Sequence, residues 1–207
     1  MPISINGSGT ITGISVGGLP NGTVDADTLA SNAVTTAKIA NSAVTSAKGS
    51  GLGITMIDSW RLTSDTTNGD NGTQTSWAAA TNMNATSLGT ALSYDSSSGL
   101  FSFPSTGNYL IIFSARFFLD SGNDGSANID LQVTNDGTNF LVGSMLTYGA
   151  QEGSTRSTGT GHFVFDVDDT STCKFKFVTH SMASSSDISG DSAKNMTYFQ
   201  VIRLGDT

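Results

Sequence analysis

The pattern of apolar and polar positions changes near residue 53 and divides the chain into two parts. Residues 1–53 contain no aromatic side chain, and from residue 24 to residue 44 a larger apolar side chain recurs every five positions. These side chains belong to Val24, Leu29, Val34, Ile39 and Val44. Such a spacing matches neither the period of a strand nor that of a helix. We therefore predict two domains, residues 1–53 and residues 54–207.

Residues 21–50 consist of three decapeptide repeats, NGTVDADTLA, SNAVTTAKIA and NSAVTSAKGS. The repeat predicts a short extended piece at AVT and a helical turn near TAK. Ordering a residue costs about 1–2 kcal/mol, and the repeats offer few apolar side chains whose burial would offset this. Two interpretations remain, a flexible low-complexity linker or a stalk whose apolar line is buried against its own copies or another protein. We favour the stalk, with the five apolar residues above as its partner-binding residues.

From residue 54 onward apolar and polar residues alternate, as is typical of strands. This alternation recurs at 54–62, 129–133, 163–167 and 173–177, and the NDGT sequence within 129–142 predicts a hairpin. Two further segments, 109–118 and 197–204, are apolar on both parities. In a two-layer domain the outer face of such strands must contact something besides the core. We predict an all-β antiparallel sandwich without a long helix.

The composition excludes several classes of partner. The formal net charge is −8, and no cluster of Lys and Arg along the chain could neutralise nucleic-acid phosphates or anionic lipids. No apolar run approaches the roughly 18 residues of a membrane span, and the first residues lack the features of a secretory signal. We therefore expect no nucleic-acid partner and no membrane insertion.

The sequence motifs of common enzymes are absent, and we predict no catalytic and no cofactor-binding residue. His162 is expected to face solvent, His180 ends a strand, and the single cysteine, Cys173, lies on an apolar face. Asp-rich turns could bind calcium, with Asp120 and Asp124 as the candidates, but solvated turns are the favoured interpretation. Trp77 is expected to anchor a polar loop, the alternative being an exposed ring that stacks on sugars.

The segment GLFSFPSTGNYLI at 99–111 predicts a strand, a turn and a second strand. It resembles the Gly-x-Phe-x-x-Pro-x-x-Gly-x-Tyr motif of the tumour-necrosis-factor-like jelly roll, as in the globular head of complement. The matching residues are Gly99, Phe101, Pro104, Gly107 and Tyr109.

This resemblance covers residues 54–207 and implies a jelly roll that forms a homotrimeric knob through outward apolar residues of central strands. It makes four residues candidates for the core or for the trimer axis, which parity alone does not distinguish. They are Tyr109, Phe113, Phe199 and Val201. Position 111 is Ile, where the family often has an aromatic residue.

The decapeptide resembles the repeats of bacteriophage tail fibres and other virion structural proteins. Together the two resemblances imply a homotrimeric virion appendage, assembled in the host cytoplasm, that residues 1–53 anchor to a tail, portal or capsid protein. Its knob would contact a glycan or protein of the host surface. The alternative is a capsid decoration or head-fibre protein of the same architecture.

Two other classes predict features that the sequence lacks. A secreted complement-like or lectin-like protein predicts a signal peptide, and a hydrolase predicts clustered acids or a nucleophile triad.

Overall fold

The computed structural model describes residues 4–5, 11–12, 31, 33–40, 43–44, 53–66, 72–81, 87–150 and 153–206. The chain divides into two compact units, Met1–Gly49 and Ser50–Thr207. The boundary predicted between residues 53 and 54 lies close to this division.

The first unit contains little regular structure among its described residues. Strands β1 (Ser4–Ile5) and β2 (Ile11–Thr12) pair antiparallel. A 3-10 helix spans Thr36–Lys38, where the second repeat predicts a helical turn. The backbone N–H of Lys38 donates to the carbonyl oxygen of Thr35 at 2.9 Å, which closes this turn.

The second unit is a sandwich of two antiparallel sheets, which confirms the all-β prediction. Its strands are β3 (Met56–Leu62), β4 (Gly72–Thr73), β5 (Trp77–Ala79), β6 (Ser93–Asp95), β7 (Leu100–Ser102), β8 (Gly107–Leu119), β9 (Asp124–Thr134), β10 (Leu141–Ala150), β11 (Thr155–Val167), β12 (Lys174–His180), β13 (Ser186–Ile188) and β14 (Tyr198–Gly205).

One sheet has the strand order β11-β8-β14-β3-β5, with β13 also paired to β8, and is called the β8 sheet. The other has the order β10-β9-β12-β7-β6, with β4 also paired to β12, and is called the β9 sheet. Neighbours in the sheets are often distant in sequence, because strands that hydrogen-bond in a jelly roll are joined by connections that cross between the two layers. The predicted hairpin is confirmed: β9 and β10 pair, with Leu141 opposite Val133.

The core between the sheets is rich in aromatic rings. Phe199 lies at its centre, with ring centroids 4.9 Å from Phe101, 5.0 Å from Phe177 and 5.1 Å from Trp77. Gly161, opposite Phe113 on the neighbouring strand, leaves room for that ring, since a Cβ there would lie 2.6 Å from it. The sequence predicts this inward parity for Phe177, which lies on the alternating segment 173–177. It leaves the parity of Phe113 and Phe199 open, because their segments are apolar on both parities.

The sequence did not decide whether four residues belong to the core or to the trimer axis. The structure places all four in the core. Tyr109, Phe199 and Val201 are 0% exposed and Phe113 is 2% exposed. The outer faces of β8 and β14 therefore carry the opposite parity, on which Leu110, Ile112 and Ile202 lie. Trp77 is also buried and donates from Nε1 to the carbonyl oxygen of Gln74 at 3.1 Å, as expected for a loop anchor.

Candidate interaction surfaces

The outer face of the β8 sheet carries an apolar row across four strands. The pairing register aligns Val164 with Leu110, Leu110 with Ile202, and Ile202 with Ile57. Val164, at the open edge, is 54% exposed. We call this row, with Ile112 in the next register position, the apolar face. An exposed apolar row of this kind is a candidate interaction surface.

A second apolar surface lies at the edge of the β9 sheet. Leu141, Val142 and Met145 of β10 are 73%, 54% and 52% exposed, and we call these three residues the apolar edge. Strand β10 runs beside β11 of the other sheet, where a Cβ on Gly143 would lie 3.1 Å from the ring of Phe163. The apolar edge therefore lies where these two edge strands meet, and there Leu141 and Val164 line one open cleft. The rest of the apolar face lies on the outside of the β8 sheet, away from this cleft.

The recognised motif has a structural role in the sandwich. The Tyr109 hydroxyl donates to the carbonyl oxygen of Ser105 at 2.9 Å. Arg203 donates from Nε and Nη2 to the carbonyl oxygen of Thr106, at 3.1 and 2.9 Å. Gly107 has φ of 140°, and a Cβ there would lie 2.5 Å from the Gly205 carbonyl oxygen. Two residues of the motif, Tyr109 and Gly107, thus fix the turn between β7 and β8, and Gly107 allows its close approach to β14.

The acidic turns use their carboxylates to order the backbone. Asp124 is buried, and it accepts hydrogen bonds from the N–H groups of Ser126 (3.0 Å) and Ala183 (2.9 Å) and from the Ser186 hydroxyl. Burial raises the pKa of Asp124, but these hydrogen bonds outweigh it and the net pKa is lowered. Asp120 is exposed. In the described part of the chain, no three His, Cys, Asp or Glu side chains come together as metal ligands would.

The structure also shows the surroundings of the two histidines and the single cysteine. His162 is exposed, as expected, and His180 Nε2 lies 3.1 Å from Asp130 Oδ2. Cys173 is buried, its Sγ donates to Asp168 Oδ1 at 3.2 Å, and burial raises the pKa of the thiol. A thiol held in its neutral form is a poor nucleophile.

An open pocket lies on the outer face of the β8 sheet, at the opposite end from the apolar row. It has a volume of about 660 Å³, and the charged residues that line it are Arg116, Arg156 and Lys194. We call it the basic pocket. The sequence alone does not reveal this pocket, because its three cations are separated by tens of residues. Strand pairing brings Arg116 and Arg156 together, and the turn before β14 adds Lys194. The one available signal was the presence of Arg at an outward position on each of two long strands.

The repeat residues that the structure describes are exposed. Val34 and Val44 are each 54% exposed and Ile39 is 41% exposed. Val24 and Leu29 lie outside the described residues.

No protein-family model matches the sequence, and no curated protein matches it. Among solved structures, the chain is similar to Eiger TNF from S. frugiperda, with a TM-score of 0.57 and 12% identity. The similarity covers 73% of this chain and 94% of that one. Within the described residues, no helix is long and apolar enough to cross a membrane. The chain therefore has the fold of a tumour-necrosis-factor-like jelly roll, as the motif at 99–109 indicated.

Proposed function

We propose that the protein is a non-enzymatic structural protein of a phage virion. In this proposal it is a short homotrimeric appendage, anchored to other virion proteins by residues 1–53, whose jelly-roll knob contacts the host surface. The observation that carries the proposal is the exposure of Val34, Ile39 and Val44 in the repeat that precedes the sandwich in the sequence. Regularly spaced apolar side chains that the chain itself leaves in water fit a segment that is buried on assembly.

The two apolar surfaces of the sandwich support a homotrimer. The apolar face begins at Val164, beside the apolar edge, and extends across the outside of the sheet to Ile57. The apolar edge of one copy can therefore pack against the β14 and β3 part of the apolar face on the next. Contacts of this head-to-tail kind close into a ring when the rotation between copies is suitable, and three copies close at 120°. Burial of one Val, Leu or Met side chain contributes about 1.5–3 kcal/mol. Burial of the exposed apolar side chains at each interface therefore favours a trimer.

The test of the virion assignment is immunogold electron microscopy of purified particles, with an antibody raised against residues 54–207. Label confined to the tail supports a host-contact appendage. Particles stained with the same antibody after preincubation with free protein are the control for specificity. Absence of specific label from particles would overturn the virion assignment altogether.

The second candidate function is capsid decoration. The exposed apolar side chains of the repeat suit docking on a shell as well as on a tail, because burial against either partner removes Val34, Ile39 and Val44 from water. Label distributed over the head would favour this function over host contact. Comparison of shell stability with and without the protein would then measure its contribution.

A further inference from the structure

The basic pocket gathers three cations, of which only Lys194 has a carboxylate partner among the described residues. Three of the nine Lys and Arg residues line it, in a chain of net charge −8. Among the described residues, neither Arg116 nor Arg156 forms an ion pair. None of the described residues that line the pocket is acidic, and Asp187, beyond Phe118 in the sheet, is not among them. Cations gathered in this way in an acidic protein favour an anionic ligand.

The two guanidinium groups are oriented by contacts that leave donors available. Arg116 lies on β8, and its Nη1 contacts the Met196 sulfur at 3.6 Å, which is a weak acceptor. Arg156, on the adjacent strand, lies with its guanidinium carbon 4.1 Å from the centroid of the Phe118 ring. This cation–π contact holds the guanidinium in place without an oxygen acceptor for its N–H groups. Both groups can therefore bind an oxyanion through charge-assisted hydrogen bonds.

Lys194 adds a third cation from the turn before β14. Its Nζ lies 3.8 Å from the Asp191 carboxylate, which already accepts hydrogen bonds from the N–H groups of Ala193 and Lys194. Lys194 is highly exposed, so this pair restrains it only weakly. The remainder of the lining supplies hydroxyl, amide and aromatic groups, from Ser114, Ser157, Thr158, Asn195 and Tyr198.

We propose that the basic pocket binds an acidic saccharide, a sugar unit that carries a carboxylate. The guanidinium groups bind the carboxylate, and the hydroxyl and amide groups bind the sugar hydroxyls, since each can both donate and accept. The volume of about 660 Å³ suits a ligand of one to a few sugar units. A long polyanion such as nucleic acid is disfavoured, because the rest of the surface is acidic and would repel its backbone. The inference rests on the proposed function only for the source of the saccharide, a host surface.

The test is isothermal titration calorimetry of the full chain with tetragalacturonate as the probe. Maltotetraose supplies the same chain length without charge, and tripolyphosphate supplies comparable charge without a sugar. We expect tetragalacturonate to bind and the other two probes to bind at least about tenfold more weakly. Equal binding of tripolyphosphate would overturn the saccharide assignment, and failure of tetragalacturonate to bind would overturn the proposal.

The matched variants are Arg116→Gln/Arg156→Gln and Lys174→Gln/Lys176→Gln. Both remove two positive charges, but Lys174 and Lys176 lie on the outer face of the β9 sheet. We expect the first variant to lose affinity for tetragalacturonate at least about tenfold and the second to stay within about twofold. Equal losses in both would mean that net charge alone is responsible and would overturn the proposal. Lys194→Gln, in an exposed turn, should weaken binding about threefold and provides the test if the arginine variant fails to fold.

Sedimentation of the same variants separates this inference from its alternatives. A change in oligomeric state in the arginine variant would indicate that the pocket holds acidic side chains of a second copy, which would overturn the saccharide proposal. Binding needs no particle, so a protein that binds the probe but is absent from virions contradicts only the proposed function. A protein present on virions that does not bind the probe contradicts only the present inference.

Discussion

Arg203, in the last strand, donates two hydrogen bonds to the carbonyl oxygen of Thr106, in the turn before the central strand β8. This contact joins residues 97 positions apart in sequence. The same guanidinium pairs with Asp206, whose side chain is 87% exposed, whereas that of Arg203 is only 13% exposed. Both contacts lie at an exposed end of the sandwich, but the bond to Thr106 restrains the backbone of the turn, whereas the ion pair holds only a side chain that extends into solvent.

We predict that Arg203→Met lowers the free energy of unfolding by about 1–3 kcal/mol, because it removes two charge-assisted hydrogen bonds to a carbonyl oxygen. The matched change Asp206→Asn removes only the exposed ion pair and should cost less than about 1 kcal/mol. Urea unfolding followed by tryptophan fluorescence measures both. Equal losses for the two variants would mean that the ion pair, not the turn contact, stabilises this end of the sandwich.

The hydrogen bonds of the turn at Asp95 make its carboxyl group unusually acidic. Hydrogen bonds from Ser98 and Ser97 lower the pKa of Asp95 to about 2. A folded-state pKa below the unfolded value of 3.8 means that this contribution to stability is present above about pH 4 and is lost as the pH falls toward 2. We expect Ser97→Ala and Ser98→Ala to raise the pKa toward 3.8, measured by NMR titration of the carboxyl carbon. Ser96→Ala, whose side chain makes no described hydrogen bond to Asp95, serves as the control and should leave the titration unchanged. An Asp95 pKa near 3.8 in the unmodified protein would contradict the hydrogen-bonded geometry.

The proposed ring of apolar face on apolar edge predicts that an acidic residue in either surface prevents trimer formation. Val164→Asp tests the face and Leu141→Asp tests the edge, and both positions are exposed enough for the monomer to remain folded. Ser93→Asp, on the far edge strand β6, carries the same change of charge as the control. Sedimentation velocity should report a trimer for the unmodified protein and the control, and monomers for the two variants. Unchanged trimers in both interface variants would exclude these surfaces, and a monomeric unmodified protein would exclude the homotrimer itself.

If the repeat is the anchor, its function can be removed without a change in the stability of the sandwich. Replacement of Val24, Val34 and Val44 by Asp should abolish incorporation into particles, because the apolar line can no longer be buried. The thermal unfolding of the sandwich and its sedimentation should stay unchanged. Replacement of Thr23, Thr35 and Thr45 by Asp places the same charges beside that line and serves as a comparison with a smaller expected effect. Full incorporation of the valine variant would mean that the repeat acts only as a tether.

The sequence by itself determined the fold class and much of the core. Strict alternation placed Cys173, Phe175 and Phe177 on the buried face, and all three are 0% exposed. Such predictions succeed because the strand period of two is a local property, fixed by the alternation of Cβ directions along one strand. The turn signals at 104–107 and 135–137 are equally local, since they depend on the φ that Pro and Gly adopt.

Only the tertiary structure decided which parity of the two-sided strands faces inward. In β8 both parities are apolar, so hydrophobicity does not choose between them, and the choice depends on whether Phe113 or Ile112 meets the aromatic rings of the opposite sheet. The pairing of β8 with β11 and β14 likewise joins segments distant in sequence. That pairing created the apolar face and brought Arg116 beside Arg156, because a sheet places residues together by register and not by proximity along the chain.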